Sequence, residues 1–421
     1  MRSHYSKTVL ENGIRLVSSR MPQVRSVCIG VWVDAGSRDE KPGENGISHF
    51  IEHLVFKSTK KRTARDIAVA LESVGGSLNA FTGREHTCYY AKVLDEHVDK
   101  ALDILSDILK NSLFRSADFK REKSVIIEEI MDAEDTPSDL VFDLFMEALW
   151  GKHPLGRPII GTLQTILKIK RTQVLDYFNR NYVYPRVVIS ASGRIEHQEL
   201  VKKVDKSFRF CQKDLDKNVP QENLIPYSVK KVRKRKTAQT HVCLGFPGYS
   251  FTDSRKYPAL VLSSILGGGM SSRLFQKIRE ELGLAYNIYS FSDFFKDGGV
   301  LGIYLGTNQE KLIPCIKLIL KEFHSIKKKK ISRDELEHAC YQLKGGLIFA
   351  AESTTNQMNR LARHELFSQD YFSLDKTISQ INKVKAVDVL GVANQLLDLD
   401  KLSVTVLGPV EENVLSKIDW K

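Results

Sequence analysis

An α+β fold made of two homologous sandwich domains, each a sheet covered by helices, is what this sequence predicts. Three observations carry that prediction. The chain has 421 residues, too long for one ordinary core and suited to two domains or four small lobes. Its 42% hydrophobic residues beside 27% charged ones supply a sizeable core of the soluble globular kind. The order of its strands and helices also repeats, in two halves of about two hundred residues.

The elements follow in order. Residues 7–17 read as a hairpin around Asn12-Gly13, the dipeptide of tight two-residue turns. The apolar run 27–33 reads as a strand and has a counterpart at 241–246, and each is followed by a loop and a helical apolar stretch, 46–58 and 255–267. Strands at 89–94 and 299–305 each lead into an amphipathic helix, 96–114 and 310–326. Ser116-Ala117-Asp118 and Ser332-Arg333-Asp334 open the next helix of each half with a serine in the capping place. Strands at 186–193 and 402–408 close the halves. The predicted division is therefore a first domain over 1–210, a basic linker over 211–238 with Pro220 and Pro226, and a second domain over 239–421.

The net charge of +12 would suit nucleic acid, but charge is the only feature that does. Much of it lies in the runs 230–236 and 327–330, placed in the linker and at a helix end, where a solvated face is expected. With no RNP signature, zinc-finger pattern or helix-turn-helix, no nucleic-acid partner is predicted. No apolar run is long enough to span a bilayer, and the N-terminus has no apolar core of a secretory signal. Cys28, Cys88, Cys211, Cys243, Cys315 and Cys340 are scattered and form no C-x-x-C pair, which reads as reduced core thiols in a cytoplasmic protein without membrane association.

The halves differ in chemistry. The first carries His49-Phe50-Ile51-Glu52-His53, whereas Leu266-Gly267-Gly268-Gly269-Met270, taken as the matching region of the second, has no such cluster. On a helix, positions i, i+3 and i+4 share a face. Two imidazoles four residues apart can hold one zinc ion, and a carboxylate beside them can take the proton from a water at its open position. The flanking Ile47, Phe50, Ile51, Leu54, Val55 and Phe56 predict a largely buried helix. Three ionisable groups there need partners, because burying them alone costs several kcal/mol. The third ligand is expected from 122–130, where Glu122 and Glu129 share a face two turns apart and Val125, Ile126 and Ile130 form the apolar side. Spacing leaves Glu122 and Glu129 both open, and places Glu128 in solvent.

H-x-x-E-H is the inverted zinc motif of the inverzincins, and the whole chain resembles the pitrilysin and insulin-degrading enzyme family, in the branch of mitochondrial processing peptidase and its bacterial relatives. The resemblance implies a zinc-dependent endopeptidase, one zinc per chain, acting on short or unfolded peptides, presequence-like ones among them. It implies His49, His53 and Glu129 as ligands, Glu52 as the base that activates the zinc-bound water, and Glu122 as a supporting carboxylate. The stretch 75–90 resembles the family's active-site edge strand, where Asn79, Ala80 and Phe81 would bind substrate as an added strand; His86 has no ligand role there. The block 272–286 matches another family segment, implying that Arg279 holds a substrate carbonyl and Tyr286 donates to the oxyanion. The fold implied is a clamshell of two domains around a peptide chamber, and the relatives are often homodimers. Some relatives are noncatalytic or partner-dependent substrate-guiding subunits, but those usually lose metal ligands. The Gly267–Gly269 run lacks the Lys-Ser/Thr of a phosphate loop and does not resemble the long glycine-rich loop of the noncatalytic mitochondrial subunit.

Overall fold

The computed structural model describes residues 4–208, 223–368 and 370–420. Among the described residues eleven strands form two sheets. The first sheet holds β1 (His4–Val9), β2 (Arg15–Arg20), β3 (Ser26–Val33), β4 (Ser77–Thr82), β5 (Thr87–Leu94) and β6 (Val187–Gly193), in the order β1-β2-β6-β3-β5-β4. The second holds β7 (Lys230–Lys234), β8 (Thr240–Gly248), β9 (Ala285–Phe294), β10 (Gly299–Thr307) and β11 (Ser403–Gly408), in the order β7-β11-β8-β10-β9. The helices of the first half of the chain are α1 (Ile47–Val55), α2 (Ala64–Glu72), α3 (Val98–Lys110), α4 (Ser116–Glu134), α5 (Pro137–Trp150), α6 (Leu163–Lys168), α7 (Arg171–Asn181) and α8 (His197–Ser207). Those of the second are α9 (Lys256–Gly267), α10 (Leu312–Lys328), α11 (Arg333–Ala351), α12 (Thr354–Phe367), α13 (Leu374–Asn382) and α14 (Ala386–Leu396).

The repeat holds at the level of pairing. β2 runs parallel to β6 as β7 does to β11, and the remaining pairs β6-β3-β5-β4 and β11-β8-β10-β9 are antiparallel. The first hairpin turns through Asn12-Gly13 with β1 antiparallel to β2, and Ser332 caps α11 by accepting the Glu335 N–H. Continuous apolar strands are explained by burial on both faces. In β3, Val27, Ile29 and Val31 join the core under α1 and α3, while Cys28 and Trp32 join a second cluster with Met358, Leu361 and Ala362 of α12. In the second sheet, Val242, Leu244 and Phe246 face one core, and Cys243 meets Val141, Leu144 and Phe145 of α5.

Those two covering helices alter the predicted division. By compactness Phe349–Phe372, with α12, belongs to the unit of the first sheet, and Asp132–Gly156, with α5, to the unit of the second. Each sheet is thus closed on one face by a helix from the other half of the sequence, so neither unit is one contiguous stretch. A cut placed by composition cannot register such an exchange, because it depends on long-range packing. The linker also differs: residues 211–222, with Cys211 and Pro220, lie outside the described residues, and Lys230–Lys234 form edge strand β7 rather than an irregular connector. Lysines along an exposed edge discourage pairing with another chain. No helix among the described residues is long and apolar enough to cross a membrane.

Candidate metal centre

The centre is built on α1. Gly46 precedes the helix at φ 93°, a left-handed conformation open to glycine; an added Cβ would lie 2.7 Å from the Ile160 carbonyl oxygen. The first N–H groups of a helix lack intrahelical partners, and here a buried carboxylate supplies acceptors. Glu40 accepts the Gly46 and Ser48 N–H groups at 2.9 Å each and the Asn45 amide at 3.1 Å. Burial pushes its carboxyl up to about 7 against the pull of those hydrogen bonds. The Ser48 hydroxyl donates to Tyr177 Oη, which in turn donates to the Gly36 carbonyl. Phe50, Ile51, Leu54 and Val55 are buried and fix the roll of the helix, leaving His49, Glu52 and His53 on the remaining face.

Helix α4 brings the acidic partners. Ile126 and Ile130 are buried, whereas Val125 is exposed and does not belong to the apolar side expected of it; Glu128 is exposed as expected. The two carboxylates that spacing left equivalent take different places. Glu129 Oε2 stands 3.8 Å from His49 Nε2 and 3.5 Å from His53 Nε2. Glu122, 2% exposed, lies on the far side of the His53 ring and accepts its Nδ1–H at Oε2, 3.3 Å away. The same oxygen accepts from Lys57 Nζ at 2.9 Å.

One donor atom each from His49, His53 and Glu129 lies within 4.8 Å of the other two, the only such group of three found among the described residues. Two donors about 2.0–2.1 Å from a tetrahedral zinc stand roughly 3.3 Å apart, so the observed separations suit that ion. The donor chemistry suits it too. Burial, with the neighbouring His53, pushes His49 down to about 4, so its ring is the neutral imidazole a metal requires. Glu122 on His53 Nδ1 is the outer carboxylate that orients a ligating histidine and frees its Nε2.

Glu52 stands beside the cluster without joining it. Burial lifts its carboxyl above the ordinary range, against the pull of a hydrogen bond from Thr82 and of His53, while Glu129 adds to the rise. Thr82 Oγ1 donates to Oε2 at 2.5 Å, leaving Oε1 for a water. Thr82, Glu40 and Lys57 were not singled out from the sequence. Thr82 alone had a signal there, since alternation puts it on the same strand face as Leu78 and Ala80, toward α1.

Asn79, Ala80 and Phe81 lie on β4, the open edge of the first sheet. Asn79 is exposed, Ala80 is partly buried toward α1, and Phe81 packs on the opposite face near Trp32. His86 packs against Trp32 and is not among the clustered donors. In the other unit, the Arg279 guanidinium lies 5.9 Å from the ring of Tyr286, which is 75% exposed at the start of edge strand β9. The topological counterpart of α1 is α9, between β8 and β9. Gly267–Gly269 lies at its end, so the glycine run does not stand in the place of His49–His53 as the sequence comparison had it.

Residues 15–163 match the model of a family described as insulinase, peptidase family M16, and residues 168–343 match the peptidase M16 inactive domain. The chain is 43% identical over 390 residues to an uncharacterized zinc protease of Bacillus subtilis, YmxG, covering 93% of this chain and 95% of that protein. It is 37% identical over 421 residues to an uncharacterized zinc protease of Streptomyces coelicolor, covering 98% and 91%. A crystal structure of a protease from Helicobacter pylori shares the fold with a TM-score of 0.91 at 23% identity, covering 97% of this chain and all of that one.

Proposed function

The chain belongs to the insulinase family of peptidases, family M16, and on that premise we propose that it is a zinc-dependent endopeptidase of short or unfolded peptides. The observation that carries this reading is the convergence of Glu129 of α4 on His49 and His53 of α1, with Glu52 on the same α1 face. All the motif residues are present, which favours a catalytic chain over a substrate-guiding subunit.

Zinc held by His49, His53 and Glu129 would supply a Lewis acid that polarises the scissile carbonyl and acidifies water. Glu52 takes the water's proton at Oε1 and returns it to the leaving amine. Its raised proton affinity suits this relay, since a carboxylate of ordinary acidity holds a proton poorly at neutral pH. Glu122 holds the His53 proton on Nδ1, and Lys57 anchors that carboxylate. The open edge of β4 would receive the peptide as an added strand, main chain to main chain, with Asn79, Ala80 and Phe81 beside it. In this reading the protein works in the cytoplasm as a homodimer. The cytoplasmic part is supported by free cysteines at 28, 88, 243, 315 and 340, and the dimer by the family resemblance.

The test is cleavage of a quenched fluorogenic peptide library by zinc-loaded protein, with and without chelator, and with Glu52→Gln as the contamination control. Chelator-sensitive cleavage absent from the variant is expected. Cleavage that survives both would remove the zinc and Glu52 assignments.

A further inference from the structure

We propose that Thr82 is a positioning residue for Glu52, so that the strand that receives the substrate also aims the base. The proposal rests on the peptidase reading and deepens it. Thr82 is the last residue of β4 and sends its hydroxyl into Glu52 Oε2 at 2.5 Å; no other hydrogen bond reaches the Glu52 carboxyl among the described residues. Without it, the carboxyl on its two-methylene stem would be free to rotate. With it, Oε2 is occupied and Oε1 is the oxygen left for the proton.

The placement of Thr82 is over-determined. It pairs with Thr87 at the closed end of the β4-β5 hairpin, where Gly83 N–H donates to the His86 carbonyl at 2.8 Å. The loop before α1 clamps that turn. Ser37 N–H donates to Gly83 O at 3.2 Å and Arg38 N–H to Arg84 O at 2.7 Å. The Thr87 hydroxyl donates to Ala35 O at 3.0 Å, and Arg38 pairs with buried Glu85 at 2.7 Å. The approach is close enough that a Cβ on Gly36 would lie 2.4 Å from Gly83 O. This same loop supplies Glu40, which caps α1. One segment therefore fixes both ends of the Thr82–Glu52 contact, the strand end through its turn and the helix through its N-terminus. A peptide docking along β4 meets a base whose direction is set by the strand it docks on.

Thr82→Val keeps the branched shape and removes the donor, while Thr82→Ser keeps the donor. Kinetics on a fluorogenic peptide cleaved by the wild type, zinc content and thermal midpoint are measured for all three proteins. The valine variant is expected to lose roughly 10- to 100-fold in kcat with KM held within about twofold, its zinc and midpoint unchanged. The serine variant is expected to recover most of the rate. A valine variant with wild-type kcat, a serine variant as impaired as valine, or a rate loss that tracks zinc loss would each overturn the proposal while leaving the peptidase reading intact. No chelator-sensitive cleavage by zinc-loaded wild type would overturn both.

Discussion

The two sheets share strand order, pairing pattern and two-sided burial, yet the helix that follows the central strand differs between them. In α9, Val261, Leu262, Ser263, Ser264, Ile265 and Leu266 are all buried, and the helix is part of the core. In α1, the face turned toward α4 carries His49, Glu52 and His53, and only the rest is core. Even the tie to the edge strand is matched: Thr82 of β4 bonds Glu52 of α1, and Ser290 of β9 exchanges hydrogen bonds with Ser263 of α9. The duplicated scaffold provides a slot beside an open strand edge. The residues in the slot decide whether it becomes core or site.

Substitutions in the two helices test that contrast. Glu52→Gln should have the largest effect, lowering turnover by at least about 10²- to 10⁴-fold with zinc still bound at wild-type stoichiometry; near-normal activity would remove the base assignment. His53→Ala and Glu129→Ala should each strip the zinc, measured by metal analysis after gel filtration, since the remaining donors leave the ion two short of a closed shell. The matched change in the other helix, Leu262→Ala, should leave zinc intact and lower stability by about 2–5 kcal/mol in urea unfolding. Zinc loss from that variant would break the division between site and core.

A smaller effect is expected with pH. His49 titrates near 4 in the fold against an ordinary value of 6.5, so the unfolded chain binds the extra proton between those values. Zinc-free protein should therefore keep this contribution above pH 6.5 and lose on the order of 3 kcal/mol as pH falls toward 4. His49→Ala should flatten that slope in the urea midpoint, and an unchanged slope would place the titrating group elsewhere. Ser290→Ala, altering the hydroxyl tie in the second unit, should leave kcat unchanged. Equal losses from Thr82→Val and Ser290→Ala would mean that both ties act only as packing.

Period and composition alone determined the duplication, the apolar strands at 27–33 and 241–246, the turn at Asn12-Gly13, and a helix presenting His49, Glu52 and His53 together. These are legible because helical and strand periods act over a few residues and leave their mark in local order. Tertiary structure decided what local order leaves degenerate. Glu122 and Glu129 are equivalent on the α4 spiral until the helix docks, when one meets the Nε2 atoms and the other the back of His53. The exchange of α5 and α12, the capping of α1 by Glu40 and the bond from Thr82 to Glu52 likewise join residues that no period connects. They follow from which apolar faces find each other on collapse, a property of the whole chain and of no segment by itself.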